Sequence, residues 1–242
     1  VRLLLLVLLF SAFSAAAQDY EREQRWAAEV APNVVVGDAV QLTLPSGRAF
    51  LGLFTEAKTP KNAILLVHGQ GVHPDHSVIG ILRAMLAEMG YTTLSIQMPV
   101  LASDAAPDEY PALFPEAAAR IQAGADWLAA KGFPRPVLLS HSMGSRMANV
   151  YFERTPDAPF AAWVCMGLSG DFGRMGNVKA PVLDLYGEKD LTSVLRADWR
   201  RRLKLNTLAG SAQVMIEGAD HFYVDKEQPL AAAIREFLGR LK

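Results

Sequence analysis

The run Val137-Leu138-Leu139-Ser140-His141-Ser142-Met143-Gly144-Ser145-Arg146 passes from apolar residues into small ones around a serine, and a helix-compatible segment, Ser145 to Arg154, follows. This layout predicts a strand, a sharp turn and a helix, with Ser142 at the apex. A serine held there stands clear of the sheet on a strained backbone, and only small flanking residues let strand and helix pass so closely. Gly144 supplies one such residue, while Ser140 stands where glycine is commoner. The chemistry implied is nucleophilic attack by Ser142.

A serine hydroxyl is a weak nucleophile until a base takes its proton, and the base must be held in one tautomer by an acid. Downstream, His221 lies in Glu217-Gly218-Ala219-Asp220-His221-Phe222, and Asp190 lies in Leu185-Tyr186-Gly187-Glu188-Lys189-Asp190. Each follows an apolar strand candidate, so in a parallel sheet both reach the carboxyl edge that also carries the Ser142 turn. Asp171, after an earlier strand candidate, is the alternative acid. Asp184 falls within a strand, Glu188 stands early in its turn, and Asp220 adjoins His221, so these three are weaker choices. His141, beside the nucleophile, reads as a supporting histidine rather than as the base.

Acyl transfer also needs donors for the developing oxyanion. One is expected at the residue after the nucleophile, the Met143 backbone N–H. The other is expected in the loop after the first parallel strand, Val67-His68-Gly69-Gln70-Gly71-Val72, where flanking glycines let the Gln70 backbone N–H turn inward. That loop lacks both G-x-G-x-x-G and the lysine of a P-loop, which argues against phosphate. His68, His73, Asp75 and His76 cluster in the sequence, but the H-x-H-x-D-H pattern of a binuclear metal site has glycine at position 71. Pro74-Asp75 reads instead as a helix start with Asp75 as N-cap. No metal or cofactor is expected.

The elements that must position these groups follow from periodicity. Asp19 to Ala28 is a charged, helix-compatible surface segment. Ala39 to Leu44 and Arg48 to Phe54 flank Pro45-Ser46-Gly47 and read as a β-hairpin. Short apolar strand candidates follow at Ile64 to Val67, Thr92 to Ile96, Val137 to Leu139, Ala162 to Met166, Val182 to Tyr186 and Gln213 to Ile216. Helical patterns at Ile79 to Met89, Glu116 to Ala130, Ser145 to Arg154, Leu191 to Leu205 and Leu230 to Leu241 separate most of them. Buried strands alternating with helices specify a mostly parallel sheet covered on both faces. Ser169 to Pro181 is too short for an inserted cap. The proline-stiffened Met98 to Pro115 loop is therefore expected to cover the site, with Val100, Leu101, Tyr110, Leu113 and Phe114 as a candidate apolar acyl wall.

The 242 residues suit one α/β domain: 51% are apolar, 20% are charged, and the formal charge is −1, which gives no reason to expect nucleic acid as a partner. Arg200-Arg201-Arg202 with Lys204 reads as a solvated helix face. Residues 1–17 read as an export signal, with Arg2, the apolar stretch Leu3 to Phe10 and an A-x-A site at Ala15 to Ala17. Residues 18–62 then form an N-terminal helix and hairpin leading into a core over 63–242, and a periplasmic or secreted location is expected. Cys165 is the only cysteine, lies in an apolar run and is expected to be inert.

Four stretches, His68-Gly69, Ser140 to Gly144, Gly187 to Asp190 and Gly218 to His221, occur in one order over roughly Ala63 to the C-terminus. Together they resemble the signature stretches of the α/β-hydrolase superfamily. The resemblance is to capless carboxylesterases and dienelactone-hydrolase-like members, and more closely to an exported bacterial branch. It implies a Ser142–His221–Asp190 triad, with Gln70 and Met143 as oxyanion donors and a small-molecule or lipid-like acyl substrate. Two alternatives share these residues or this fold: an acyltransferase, and a catalytically silent α/β-hydrolase fold serving as an envelope binding or assembly protein.

Overall fold

The computed structural model describes residues 18–241; the expected export signal over residues 1–17 lies outside them. Eight strands form one sheet in the order β1-β2-β4-β3-β5-β6-β7-β8. β1 (Asp38–Thr43) and β2 (Ala49–Thr55) are the expected hairpin, and β2 continues antiparallel onto β4 (Thr92–Ile96). From there β3 (Ala63–Val67), β4, β5 (Val137–His141), β6 (Ala162–Met166), β7 (Val182–Lys189) and β8 (Ala212–Asp220) run parallel. The sheet is mostly parallel, as the alternation of apolar runs and helical patterns requires.

Alternate residues of each central strand feed two cores. Leu65, Val67, Leu138 and Trp163 face α3 (Phe114–Ala130) and α4 (Met143–Arg154). Ile64, Leu66, Leu139 and Val164 face α2 (Ser77–Glu88) and α7 (Glu227–Gly239). Period-two alternation with both faces buried is why these strands read as continuous apolar runs. Among the described residues no helix is long and apolar enough to cross a membrane.

Four expectations are corrected. The segment read as a surface helix, α1 (Tyr20–Val30), is tied into the body: Glu23 is buried and meets the fully buried Arg120 of α3 at 2.8 Å. Asp75 does not cap α2. Its Oδ1 instead takes both Nε (3.1 Å) and Nη2 (2.7 Å) of Arg83, a charge-assisted pair that outcompetes a neutral backbone N–H. The helical pattern at Leu191 to Leu205 divides into α5 (Thr192–Leu195) and α6 (Asp198–Leu205).

The fourth correction concerns the Arg200-Arg201-Arg202 run. Arg201 is fully buried and donates through Nε to Asp184 of β7 at 2.8 Å, while Nη1 reaches the carbonyls of Leu168, Gly170 and Val194. Burial raises the Asp184 carboxyl, and the Arg201 guanidinium opposes that rise. Removing either partner would strand a buried charge at a cost of about 3–5 kcal/mol.

Candidate active site

Strand β5 ends at His141, and α4 begins at Met143, leaving Ser142 alone to make the turn with φ 57° and ψ −119°. A non-glycine residue there stores on the order of 1–3 kcal/mol of strain, which the surrounding packing must hold. Two contacts hold it. The Ser142 N–H donates to the Met166 carbonyl at 2.9 Å, and Gly144 passes so close to the end of β3 that a Cβ would lie 2.4 Å from the His68 carbonyl oxygen. No larger residue fits at position 144.

Ser140 occupies the position where the turn pattern favours glycine. Its Oγ accepts the Trp163 indole N–H at 2.9 Å and lies 3.0 Å from Ser145 Oγ, which donates to the Met166 carbonyl at 2.8 Å. The extra hydroxyl is thus built into a buried polar network beneath the turn. Nothing local in the sequence signals this network, because Trp163 and Met166 arrive from the neighbouring strand.

β7 and β8 deliver the other two groups to the same edge. His221 Nε2 lies 2.8 Å from Ser142 Oγ, and Nδ1 lies 2.6 Å from Asp190 Oδ1. The carboxylate facing Nδ1 assigns the proton to that nitrogen, leaving Nε2 to accept from the serine hydroxyl. Burial would raise the Asp190 carboxyl, but the hydrogen bond and charge of His221, with the N–H groups of Gly187 and Leu191, hold it below the usual carboxylate range. Gly167, at φ 58°, opens the floor for the ring: a Cβ there would stand 2.9 Å from His221 Cε1. Asp171 is elsewhere, 3.1 Å from Lys204 and 3.8 Å from Arg200, so the structure does not bring the alternative acid to His221.

Met143 opens α4, so its N–H has no partner within the helix. On the facing loop, His68 Nδ1 donates to the Gly69 carbonyl at 2.9 Å, while its Nε2 accepts the Met98 N–H at 2.8 Å. Carbonyl and N–H of a trans peptide point oppositely, so this bond turns the Gln70 N–H away from His68. Burial pushes the His68 imidazole down to about 3 and, with the nearby His221, lowers His141 to about 4, so both are neutral. His141 Nε2 donates to the His221 carbonyl at 2.8 Å, the supporting position expected for it.

The His68, His73, Asp75 and His76 side chains do not converge. Both His68 nitrogens are engaged, and the Asp75 carboxylate is held by Arg83. Cys165 is buried, and burial drives its thiol well above the ordinary value. A cavity of about 220 Å³ lies over Ser142 and His221, between the Gly69–Val72 loop, the first turn of α2, Leu191 and Phe222. A larger and more open depression of about 680 Å³, at the amino ends of the strands by Lys61, Arg135 and Pro181, contains none of these groups.

Val100, Leu101, Tyr110, Leu113 and Phe114 do not line the cavity at Ser142. All five are buried, and Leu101, Tyr110, Leu113 and Phe114 belong to the core shared with α3 and α4. The Asp19 N–H bonds the Val100 carbonyl, and the Val100 N–H bonds Glu23 Oε1, strapping the Met98 to Pro115 loop down under α1. Residues that the sequence reading missed come from the same place. Arg22 of α1 donates through Nη2 to the Gly71 carbonyl at 2.9 Å and through Nη1 to the Leu101 carbonyl at 3.0 Å, clamping the loop that carries Gln70.

The fold recurs in solved structures. A putative alpha/beta hydrolase of unknown function from Agrobacterium tumefaciens aligns over 84% of this chain and 95% of its own, at 18% identity and TM-score 0.65. The dienelactone hydrolase of Anabaena variabilis covers 84% and 97% at 21% identity and TM-score 0.65. A Pyrococcus furiosus esterase covers 84% and 91% at 14% identity and TM-score 0.67. The chain has the α/β-hydrolase fold. In this α/β-hydrolase fold, residues 2–119 also match the family described as a protein of unknown function, DUF3530, a match that ends within α3 and includes α1 and the Gln70 loop but not Ser142, Asp190 or His221. No curated protein sequence matches the chain.

Proposed function

We propose that this protein is an exported serine hydrolase that cleaves an ester or related acyl bond through Ser142, His221 and Asp190. The observation that carries the reading is the continuous hydrogen-bonded chain from Ser142 Oγ through His221 to Asp190, raised on a strained turn at the mouth of a cavity. A dienelactone hydrolase and an esterase share this fold and support the reaction class. The Arg2, Leu3 to Phe10 and Ala15 to Ala17 pattern supports export.

In the reaction, Ser142 Oγ bonds to the carbonyl carbon as its proton passes to His221 Nε2. Asp190 holds the ring and stabilises the imidazolium. The N–H groups of Met143 and Gln70 receive the oxyanion, a contribution worth about 10²–10³ in rate for each well-placed donor. The carbon–oxygen bond to the alcohol then breaks, with His221 returning the proton to it. Water repeats the two steps on the acyl-serine and regenerates the hydroxyl.

The test is intact mass after reaction with a fluorophosphonate, alongside Ser142→Ala. Single labelling that disappears in the variant is the expected result. A folded wild-type protein that takes no label would leave a catalytically silent fold as the better account.

A further inference from the structure

The cavity beside Ser142 is unequal on its two sides, and that inequality bears on which ester fits. On one side stand Val72 and the first turn of α2, where Val78 and Ile79 are nearly inaccessible and locked into the core under the sheet. On the other side stand Leu191, 48% exposed, and Phe222, 51% exposed. Leu191 directly follows Asp190, and Phe222 directly follows His221. His221 must hand its proton to the departing alcohol, so the leaving group exits on its side. The acyl chain is left with the other wall.

That wall limits length. At about 220 Å³ the cavity falls below the roughly 300–1,000 Å³ of pockets that bury a drug-sized ligand. Such a space suits a small acyl group. Val78 and Ile79 belong to a packed helix rather than a mobile loop, so the end of the cavity does not yield to a longer chain.

The wall also limits charge. No Lys, Arg, Asp or Glu side chain lines the cavity. The buried histidines on its wall, His68 and His141, are neutral and committed to backbone partners. His76 stands exposed at the mouth. A carboxylate on the acyl chain would enter without a countercharge, and an isolated charge taken from water without a partner is strongly disfavoured.

Resting on the serine-hydrolase reading, we infer that the substrates are esters of short, uncharged acyl groups, of two to about four carbons, on a larger apolar alcohol that lies across Leu191 and Phe222. The acyl group is selected by Val72, Val78 and Ile79, and the alcohol by the open apolar rim.

The experiment measures kcat/KM on 4-nitrophenyl esters from acetate to decanoate, with the hemisuccinate as a charged counterpart of the butanoate. The optimum is expected at two to four carbons, with about a tenfold or greater fall by octanoate, the scale on which a rigid pocket discriminates methylenes. The hemisuccinate is expected about a hundredfold below the butanoate. Ile79→Ala should raise the octanoate-to-butanoate ratio about tenfold. Should that variant fail to fold, Val72→Phe on the loop should cut butanoate more than acetate.

An optimum at eight carbons or beyond overturns the inference, as does a length profile unmoved by both variants. A preference for hemisuccinate would do the same and would assign the uncapped start of α2 to a carboxylate. If fluorophosphonate labels Ser142 while the ester series fails in any of these ways, the hydrolase reading stands and only the acyl inference falls. Absence of labelling removes both.

Discussion

Replacing Arg22 with methionine isolates the clamp on the donor loop from the packing of the helix that supplies it. The arginine stem lies along α1 and its guanidinium stacks 4.5 Å from the Trp26 ring centre. Methionine keeps much of the apolar stem and loses the two bonds to the Gly71 and Leu101 carbonyls together with the cation–π contact to Trp26. A buried hydrogen bond to a charged group contributes about 1.5–3 kcal/mol. Arg22 is half-buried, so water competes, and the pair together is expected to cost about 1–2 kcal/mol of stability. The rest of α1 stays anchored through Asp19, Tyr20 and the Glu23–Arg120 pair, so the fold survives. The larger effect is catalytic. Gly71 follows Gln70 directly, and a donor displaced by about 1 Å loses up to about a hundredfold in rate. The expected result for Arg22→Met is a kcat lowered about 10- to 100-fold on 4-nitrophenyl butanoate with KM within about threefold. Arg22→Lys should fall between, because a point donor cannot serve two carbonyls as a planar fork does. A folded Arg22→Met protein with wild-type kcat refutes the clamp.

Three further outcomes are expected. His68 and His141 are kept neutral by burial while the unfolded chain protonates below pH 6.5, so their full contribution is present above that pH and is lost toward about 3 and about 4 respectively. Urea midpoints should record a loss of about 3 kcal/mol between pH 6.5 and 5, roughly halved in His68→Gln, and a flat profile would count against both assignments. Ser140→Gly, although it restores the commoner residue of the turn, should destabilise by about 1–3 kcal/mol because the Trp163 indole N–H loses its acceptor; equal or greater stability in urea would mean that the network contributes nothing. Asp190→Asn should lower kcat by about 10⁴, whereas Asp171→Asn should stay within about threefold, and a reversed order would return the acid role to Asp171.

The candidate reacting groups were legible because each sits at a strand end. An apolar run, a turn of small residues and a helical pattern locate Ser142 without reference to any other part of the chain, and Asp190 and His221 follow as the acid and base at later strand ends, with Asp171 as the competing acid. The groups that orient them have no such signature. Arg22 meets partners 49 and 79 residues away, and Trp163 reaches Ser140 across a strand pairing. Arg201, between two exposed arginines, looks like part of a solvated face until β7 places Asp184 beneath it. The apolar side chains Val100, Leu101, Tyr110, Leu113 and Phe114 are buried, yet composition cannot say under which element, and bonds from α1 hold the start of this loop against the body rather than over the cavity.

This division also matches where the chain resembles its relatives. Ser142, Asp190 and His221 lie at strand ends of the α/β-hydrolase fold, whereas the DUF3530 match covers the part that carries α1 and the Gly69–Val72 loop. A helix that enters before the first strand fastens both the Gly69–Val72 loop and the β4–α3 loop, and under the proposed reaction this fixes the oxyanion side. Substitutions in α1 should therefore act on the rate through Gln70, even though no residue of that helix lines the cavity.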